Sequence, residues 1–204
     1  MSSFIETPRN ARSRRTRKAL LDNALELIVE EGAEALSVAE VARRAGVTRR
    51  AVYLHFGSRG ELLLELFGHI NEVLDLESSL RPMLEAPDAL SALDAWAAHV
   101  ARFHGRLLPI ARAVDAARRT DAEVDGLWQR AMAAWHGACH GLVGRLAEEG
   151  RLAEPWSEED ATDLLWALMS VELLEDLVED RGWPPDRYAE RLALVARRVL
   201  AVEA

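Results

Sequence analysis

The sequence predicts an all-α chain made of a small amino-terminal helix-turn-helix module and a larger helical body. Three observations predict it. Apolar residues recur at three- and four-residue spacing along most of the chain, while proline and glycine fall mainly between those runs. No stretch alternates with the β-branched enrichment that strands require. Half of the 204 side chains are apolar, enough for a module leaning on a larger core.

The elements follow in order. Leu21, Ala24, Leu25 and Ile28 mark a first helix over about 13–31, stopped by Gly32. Ser37-Val38-Ala39-Glu40 is a capping box opening a short second helix over 38–45. Thr48 stands where an N-cap belongs and opens a third helix through Leu54, after a tight turn at Gly46 and Val47. Ser58-Arg59-Gly60-Glu61 is a second capping box, followed by Leu62, Leu63, Leu66, Phe67 and Ile70 of a long fourth helix. A linker is expected near 76–87. Helices are expected beyond it at 88–103, 105–119, 121–149, 157–181 and 185–202. Their breaks lie at Pro109 or nearby, Gly150, Pro155 and the Gly182-Trp183-Pro184-Pro185 turn. The expected domains are 1–60 for the arm and helix-turn-helix, 61–79 for helix four and linker, and 80–204 for the body.

Charge is divided unevenly along this plan. The net charge is −9, yet residues 1–60 carry +4 and the remainder −13. A basic head on an acidic body fits a protein whose head alone approaches phosphates. A single cysteine, Cys139, excludes an internal disulfide among these residues and suits a reducing compartment. No apolar run reaches the roughly 18 residues of a membrane span, and the first residues lack the apolar segment of a secretion signal, so a cytoplasmic location is expected.

Within residues 37–56, Val38, Val41, Ala42, Val47, Val52 and Phe56 can form one apolar seam, leaving Arg43, Arg44, Arg49 and Arg50 to point outward. Set in a major groove, the start of the third helix offers Arg49 and Arg50 to the O6 and N7 acceptors of guanine. Thr48 and the helix N-terminus can hold a phosphate. Phe56 is a core aromatic on this pattern. The arm from Arg9 to Lys18, rich in positive charge, is expected to be disordered when free and to add salt-sensitive attraction to DNA.

Residues 46–63, GVTRRAVYLHFGSRGELL, closely resemble the signature of the TetR family of bacterial transcription regulators, and the likeness extends back through the first helix. The resemblance implies a three-helix reader whose third helix enters the major groove. It assigns phosphate contacts chiefly to the positions of Thr48, Tyr53 and His55, with Arg59 near the backbone; His55 is equally suited to capping its helix end. With Ser37, Arg49 and Arg50 these form the expected DNA-binding set. Arg50, Leu54 and Gly60 depart from the residues common at their positions, which bears on the operator sequence and not on docking.

The body holds all six tryptophans. Trp96, His99 and Phe103 share one helical face by spacing, and Trp128 and Trp135 another. With His136 and Trp166 they are the candidate lining of an effector pocket, although aromatic stripes also build plain cores. The resemblance implies such a pocket, for a small molecule. His136, Cys139 and His140 share a face that can in principle ligate a metal, but no second ligand cluster accompanies them and no metal or other cofactor is expected. Motifs of nucleophilic or metal-dependent catalysis are absent, so no enzyme is expected.

The last two helices carry apolar surplus: Leu164, Leu165, Leu168, Val171, Leu174 and Val178 on one, Leu192, Leu194, Val195 and Val199 on the other. Leu164, Leu168, Val171, Leu194 and Val195 are the candidate dimer contacts. The resemblance implies a four-helix bundle across a two-fold axis, a homodimer reading a palindromic duplex operator, and release by an effector. An activator fits the same residues. The alternative from another class is a helical small-molecule-binding protein or enzyme without DNA function.

Overall fold

The computed structural model describes residues 11–32 and 35–202, and its regular elements are helical. They are α1 (Ala11–Glu31), α2 (Val38–Arg44), α3 (Arg49–His55), α4 (Arg59–Val73), α5 (Leu76–Leu84), α6 (Ala89–His99), α7 (Gly105–Arg118), α8 (Ala122–Glu148), α9 (Glu158–Ala167), α10 (Val171–Leu174) and α11 (Pro185–Leu200). Wider π-type turns occupy Val100–His104 and Glu175–Asp180. Two compact units result. One joins the described residues up to Ile70 with Pro109–Leu127; the other joins Asn71–Leu108 with the chain from Trp128 onward.

The first unit is built on capped helices. The Ser37 hydroxyl accepts a hydrogen bond from the Glu40 amide at 3.2 Å, and Thr48 does the same for Ala51 at 3.2 Å. At the head of α4 the exchange runs both ways: Ser58 accepts from the Glu61 amide at 2.9 Å, and the Glu61 carboxylate accepts from the Gly57 amide at 2.7 Å. Between α2 and α3 the chain reverses through Gly46 at φ 65, a left-handed conformation costly for any residue with a Cβ. Val38, Val41, Ala42, Val52 and Phe56 are buried beneath this turn, together with Leu20, Ala24 and Ile28 of α1.

In the second unit, α6 packs against α5 and α11. Its core includes Leu93, Trp96, Leu142, Leu165, Tyr188 and Leu200. Polar ties fix the helix ends. Glu149 accepts from the Ala89 amide at 2.9 Å, Arg145 donates to the Ala86 carbonyl at 2.9 Å, and Arg197 pairs with Asp94 at 2.9 Å.

Several expectations need correction. The linker expected over 76–87 is largely α5, capped by Asp75 accepting from the Ser78 amide at 3.2 Å. Pro109 lies inside α7 instead of breaking the chain. Its missing amide and bulky ring follow directly on the wide turn Val100–His104, where the helical register has already shifted. The single helix expected over 157–181 is interrupted at 168–170, and Ser170 restarts it by accepting from the Leu173 amide at 3.2 Å. Within the described residues the basic arm is part of α1: Lys18 pairs with Asp22 at 2.8 Å one turn on, and Arg17 reaches α3. Arg9 lies outside the described residues. The observed grouping also differs from the expected division at residues 60 and 80, because Pro109–Leu127 join the amino-terminal unit.

Candidate nucleic-acid interface and effector cavity

α3 is held from three sides. Its buried Val52 and the adjoining Phe56 face the core. Arg17 of α1 donates to the His55 carbonyl at 2.6 Å, pairs with Glu65 at 2.6 Å, and lies 4.5 Å from the centre of the Phe56 ring. Arg59 donates through Nε to the Leu36 carbonyl at 3.2 Å, which ties the start of α4 to the loop before α2. With those fastenings in place, Thr48, Arg49, Arg50, Tyr53 and Leu54 stand exposed. Arg49 and Arg50 make no hydrogen bond or ion pair among the described residues.

Four arginines were expected to point outward; Arg43 does so but is paired, and Arg44 does not. Arg44 is largely buried, its guanidinium shared between Glu30 and Glu31, and Arg43 folds back onto Glu40. Each sits one helical turn from, or directly beside, an acceptor that discharges its field. Ser37 is half-buried and committed to its cap. His55 is also half-buried; burial first, and then the Arg17 charge, lowers its pKa. Leu54 is 73% exposed, an apolar tip beside two cations.

The second unit contains a cavity of about 660 Å³. Phe103 lines it, and His99 approaches through its Nδ1, 2.8 Å from the hydroxyl of Ser79, which is also in the lining. His99 stacks on Phe103 with ring centres 5.1 Å apart. The other residues expected there lie elsewhere. Trp96 is packed in the core, Trp135 stacks on buried His104 at 4.5 Å, and Trp128 is half-buried farther back on α8. His136 contacts Asp163 at 2.8 Å, with the Trp166 ring centre 6.2 Å from its own. Sequence reasoning missed Ser78, Ser79, Arg102 and Arg106. The Arg102-Phe103 pair followed by Arg106 in an otherwise apolar stretch was a legible signal; the serines were hidden by reading α5 as linker.

Burial drives the pKa of His99 down to about 4, with the Arg102 charge adding to it, and that of His104 down to about 3. Cys139 is buried with its thiol 3.3 Å from the Met169 sulfur, and burial pushes it up to about 12. Cys139 is buried while His140 is exposed and His136 half-buried, and no group of three His, Cys, Asp or Glu side chains converges among the described residues. No described helix is long and apolar enough to cross a membrane.

On the candidate dimer surface, Leu164, Leu168 and Val171 are half-buried against their own core, and Leu165, Leu174 and Leu192 are buried within it. Those residues satisfy the monomer. On α11 and just beyond it, Leu194, Val195, Val199 and Val202 remain exposed at 38–51%.

Residues 20–66 match the family model described as bacterial regulatory proteins, tetR family. The chain is 37% identical over 67 residues to the HTH-type transcriptional regulator TtgW of Pseudomonas putida, covering 33% of this chain and 50% of TtgW. It is 26% identical over 197 residues to the HTH-type transcriptional repressor BepR of Brucella suis, covering 85% and 86%. The chain spans half or less of the length of the first curated relatives it matches. Among solved structures it is similar to NalD of Pseudomonas aeruginosa, described as the secondary repressor of the MexAB-OprM multidrug efflux pump, with a TM-score of 0.69, 26% identity and coverage of 96% and 100%. A transcriptional regulator from Saccharomonospora viridis in complex with choline shares the fold, with a TM-score of 0.79, 16% identity and coverage of 93% and 100%.

Proposed function

This chain belongs to the TetR family of transcriptional regulators, and we propose that it is a homodimeric repressor that leaves a palindromic operator when a small effector enters its second unit. The observation carrying the proposal is the unengaged face of α3, where Arg49 and Arg50 stand free while Arg17, Arg43, Arg44 and Arg59 are engaged by other groups of the same unit. That face suits a major groove, with guanidiniums for guanine O6 and N7, a Tyr53 hydroxyl for phosphate, and Leu54 for a thymine methyl. BepR and NalD are named as repressors, which supports the sign of regulation.

In this proposal two copies pair through the exposed Leu194, Val195, Val199 and Val202 face, and a two-fold reader of a palindrome needs its recognition helices one turn of duplex apart, roughly 34–36 Å. Effector binding favours a geometry that shifts α4 and ends that spacing; a coupling of about 1–3 kcal/mol changes occupancy tenfold or more. Such a protein acts in the cytoplasm, where its operator is, and carries out no catalytic step. The test is a titration of the chain with duplex DNA from beside its own gene at several salt concentrations. The proposal expects tight binding that falls steeply with salt. A protein that binds or turns over a small molecule but has no salt-dependent affinity for duplex would belong to the other class.

A further inference from the structure

The cavity in the second unit is bounded by two segments that depart from regular α-helix. Val100–His104 takes a π-type turn and contributes Ala101, Arg102 and Phe103; Glu175–Asp180 takes another and contributes Val178. Such wide turns cost hydrogen-bond geometry and recur at functional sites. Here they stand where the helices line an open hollow of about 660 Å³, within the range of small-molecule sites.

Charge distinguishes this cavity from the core around it. Arg102 and Arg106 both line it, and neither makes a hydrogen bond or ion pair among the described residues. Two other arginines of the same unit are engaged, Arg145 with backbone carbonyls and Arg197 with Asp94. Asp75 is the acidic residue in the lining, and its carboxylate is occupied in capping α5. Ser78 and Ser79 add hydroxyls, while Phe103, Leu174 and Val178 add apolar surface. Both side chains are exposed at the rim, and two unengaged guanidiniums beside an apolar hollow offer planar forks of donors to an oxyanion.

We infer that this cavity takes an organic anion with an apolar body, the anionic head held by Arg102 and Arg106 and the body resting on Phe103, Leu174 and Val178. The inference rests on the effector-responsive reading above and names the chemistry of the effector. Carboxylates and phosphate esters share that chemistry, and they are separated by the probes.

The test is calorimetric titration of the full chain with decanoate, decyl phosphate and decyltrimethylammonium, for the wild type, Arg102→Gln/Arg106→Gln and Arg102→Lys/Arg106→Lys. Saturable binding of at least one anion and not of the cation is expected, with the better anion telling carboxylate from phosphate. The glutamine pair should bind at least about tenfold more weakly, and the lysine pair should recover part of the loss, which a folding defect would not do. Cation binding as tight as anion binding, an unaffected glutamine pair, or no anion binding up to about 1 mM overturns the inference. Operator release is followed in parallel by gel shift. Anion binding that leaves the DNA complex intact sinks the release reading and keeps the site. An intact DNA complex without anion binding sinks the site and keeps the reader.

Discussion

Asp121 fills the space that a side chain on Gly60 would need: a Cβ built there would overlap the Asp121 Oδ2 and stand 3.3 Å from Val124. Gly60 opens α4 behind its cap, and Asp121 caps α8, accepting from the Glu123 amide at 3.0 Å and the Val124 amide at 3.3 Å. Arg118 bridges Asp115 at 2.7 Å and Asp125 at 3.5 Å, fastening the same α7–α8 turn. The start of α4 thus packs directly on the α7–α8 turn.

Glycine to alanine in a helix ordinarily gains about 0.5–1 kcal/mol. Gly60→Ala should instead lose about 1–3 kcal/mol, because the new methyl displaces a carboxylate that is already capping a helix. Urea unfolding measures it. In an Asp121→Ala background the same change should become neutral or favourable; an equal loss in both backgrounds contradicts the contact.

Arg49 and Arg44 are neighbouring cations with opposite expected roles. Arg49→Ala should reduce the slope of log affinity against log salt by about 1 if the side chain meets phosphate, or relax preference at one guanine by about 1–3 kcal/mol if it meets a base. Arg44→Ala should lower thermal stability by freeing Glu30 and Glu31, leaving the salt slope unchanged. Equal slopes for the two variants would remove the distinction.

Tyr53 offers a hydroxyl and Leu54 a methyl pair from the same exposed stretch. Tyr53→Phe should weaken all operator sequences alike by about 1 kcal/mol, as the loss of one phosphate hydrogen bond does. Leu54→Ala should act only where a thymine lies opposite. Competition binding with single-base operator variants separates the two patterns.

His99 and His104 have folded pKa values near 4 and 3, against 6.5 without burial. The unfolded chain therefore takes up their protons first, and stability falls as pH drops from about 6.5 toward 4 and below. His104→Phe keeps a ring against Trp135 and removes one of the two titrations. Its melting temperature should vary less with pH over this window; curves parallel to wild type would contradict the burial of His104 as a neutral ring.

Replacing Val195 with aspartate should convert the dimer to monomer and abolish binding to a full palindrome, since an unpaired charge would be buried between copies. Sedimentation equilibrium reads the first effect. A variant that stays dimeric removes α11 from the interface.

The reader was legible because its signals are local. Ser37, Thr48 and Ser58 cap where their spacing said, and Gly46 turns where a left-handed residue was needed. The fates of Arg43 and Arg44 were less so, because Glu30 and Glu31 reach Arg44 across a turn that spacing within one helix does not reveal. In the body, α5 escaped notice: its cap, Asp75, has φ 52, and Pro82 sits inside the helix. Aromatic spacing pointed to Trp96, His99, Phe103, Trp128 and Trp135, yet Trp96 is core and Trp135 stacks on His104, and the cavity took its polar lining from Ser78, Ser79, Arg102 and Arg106. Periodicity reports which side chains share a face and not which faces leave a space between them.

The most direct measurement is a footprint of the wild-type protein and of Arg49→Ala/Arg50→Ala on DNA flanking the protein's own gene. The account predicts two protected tracts related by a palindrome, about one helical turn apart, present for the wild type and lost in the double variant while its dimer persists. Protection that survives loss of both arginines, or none at any salt concentration, would contradict it.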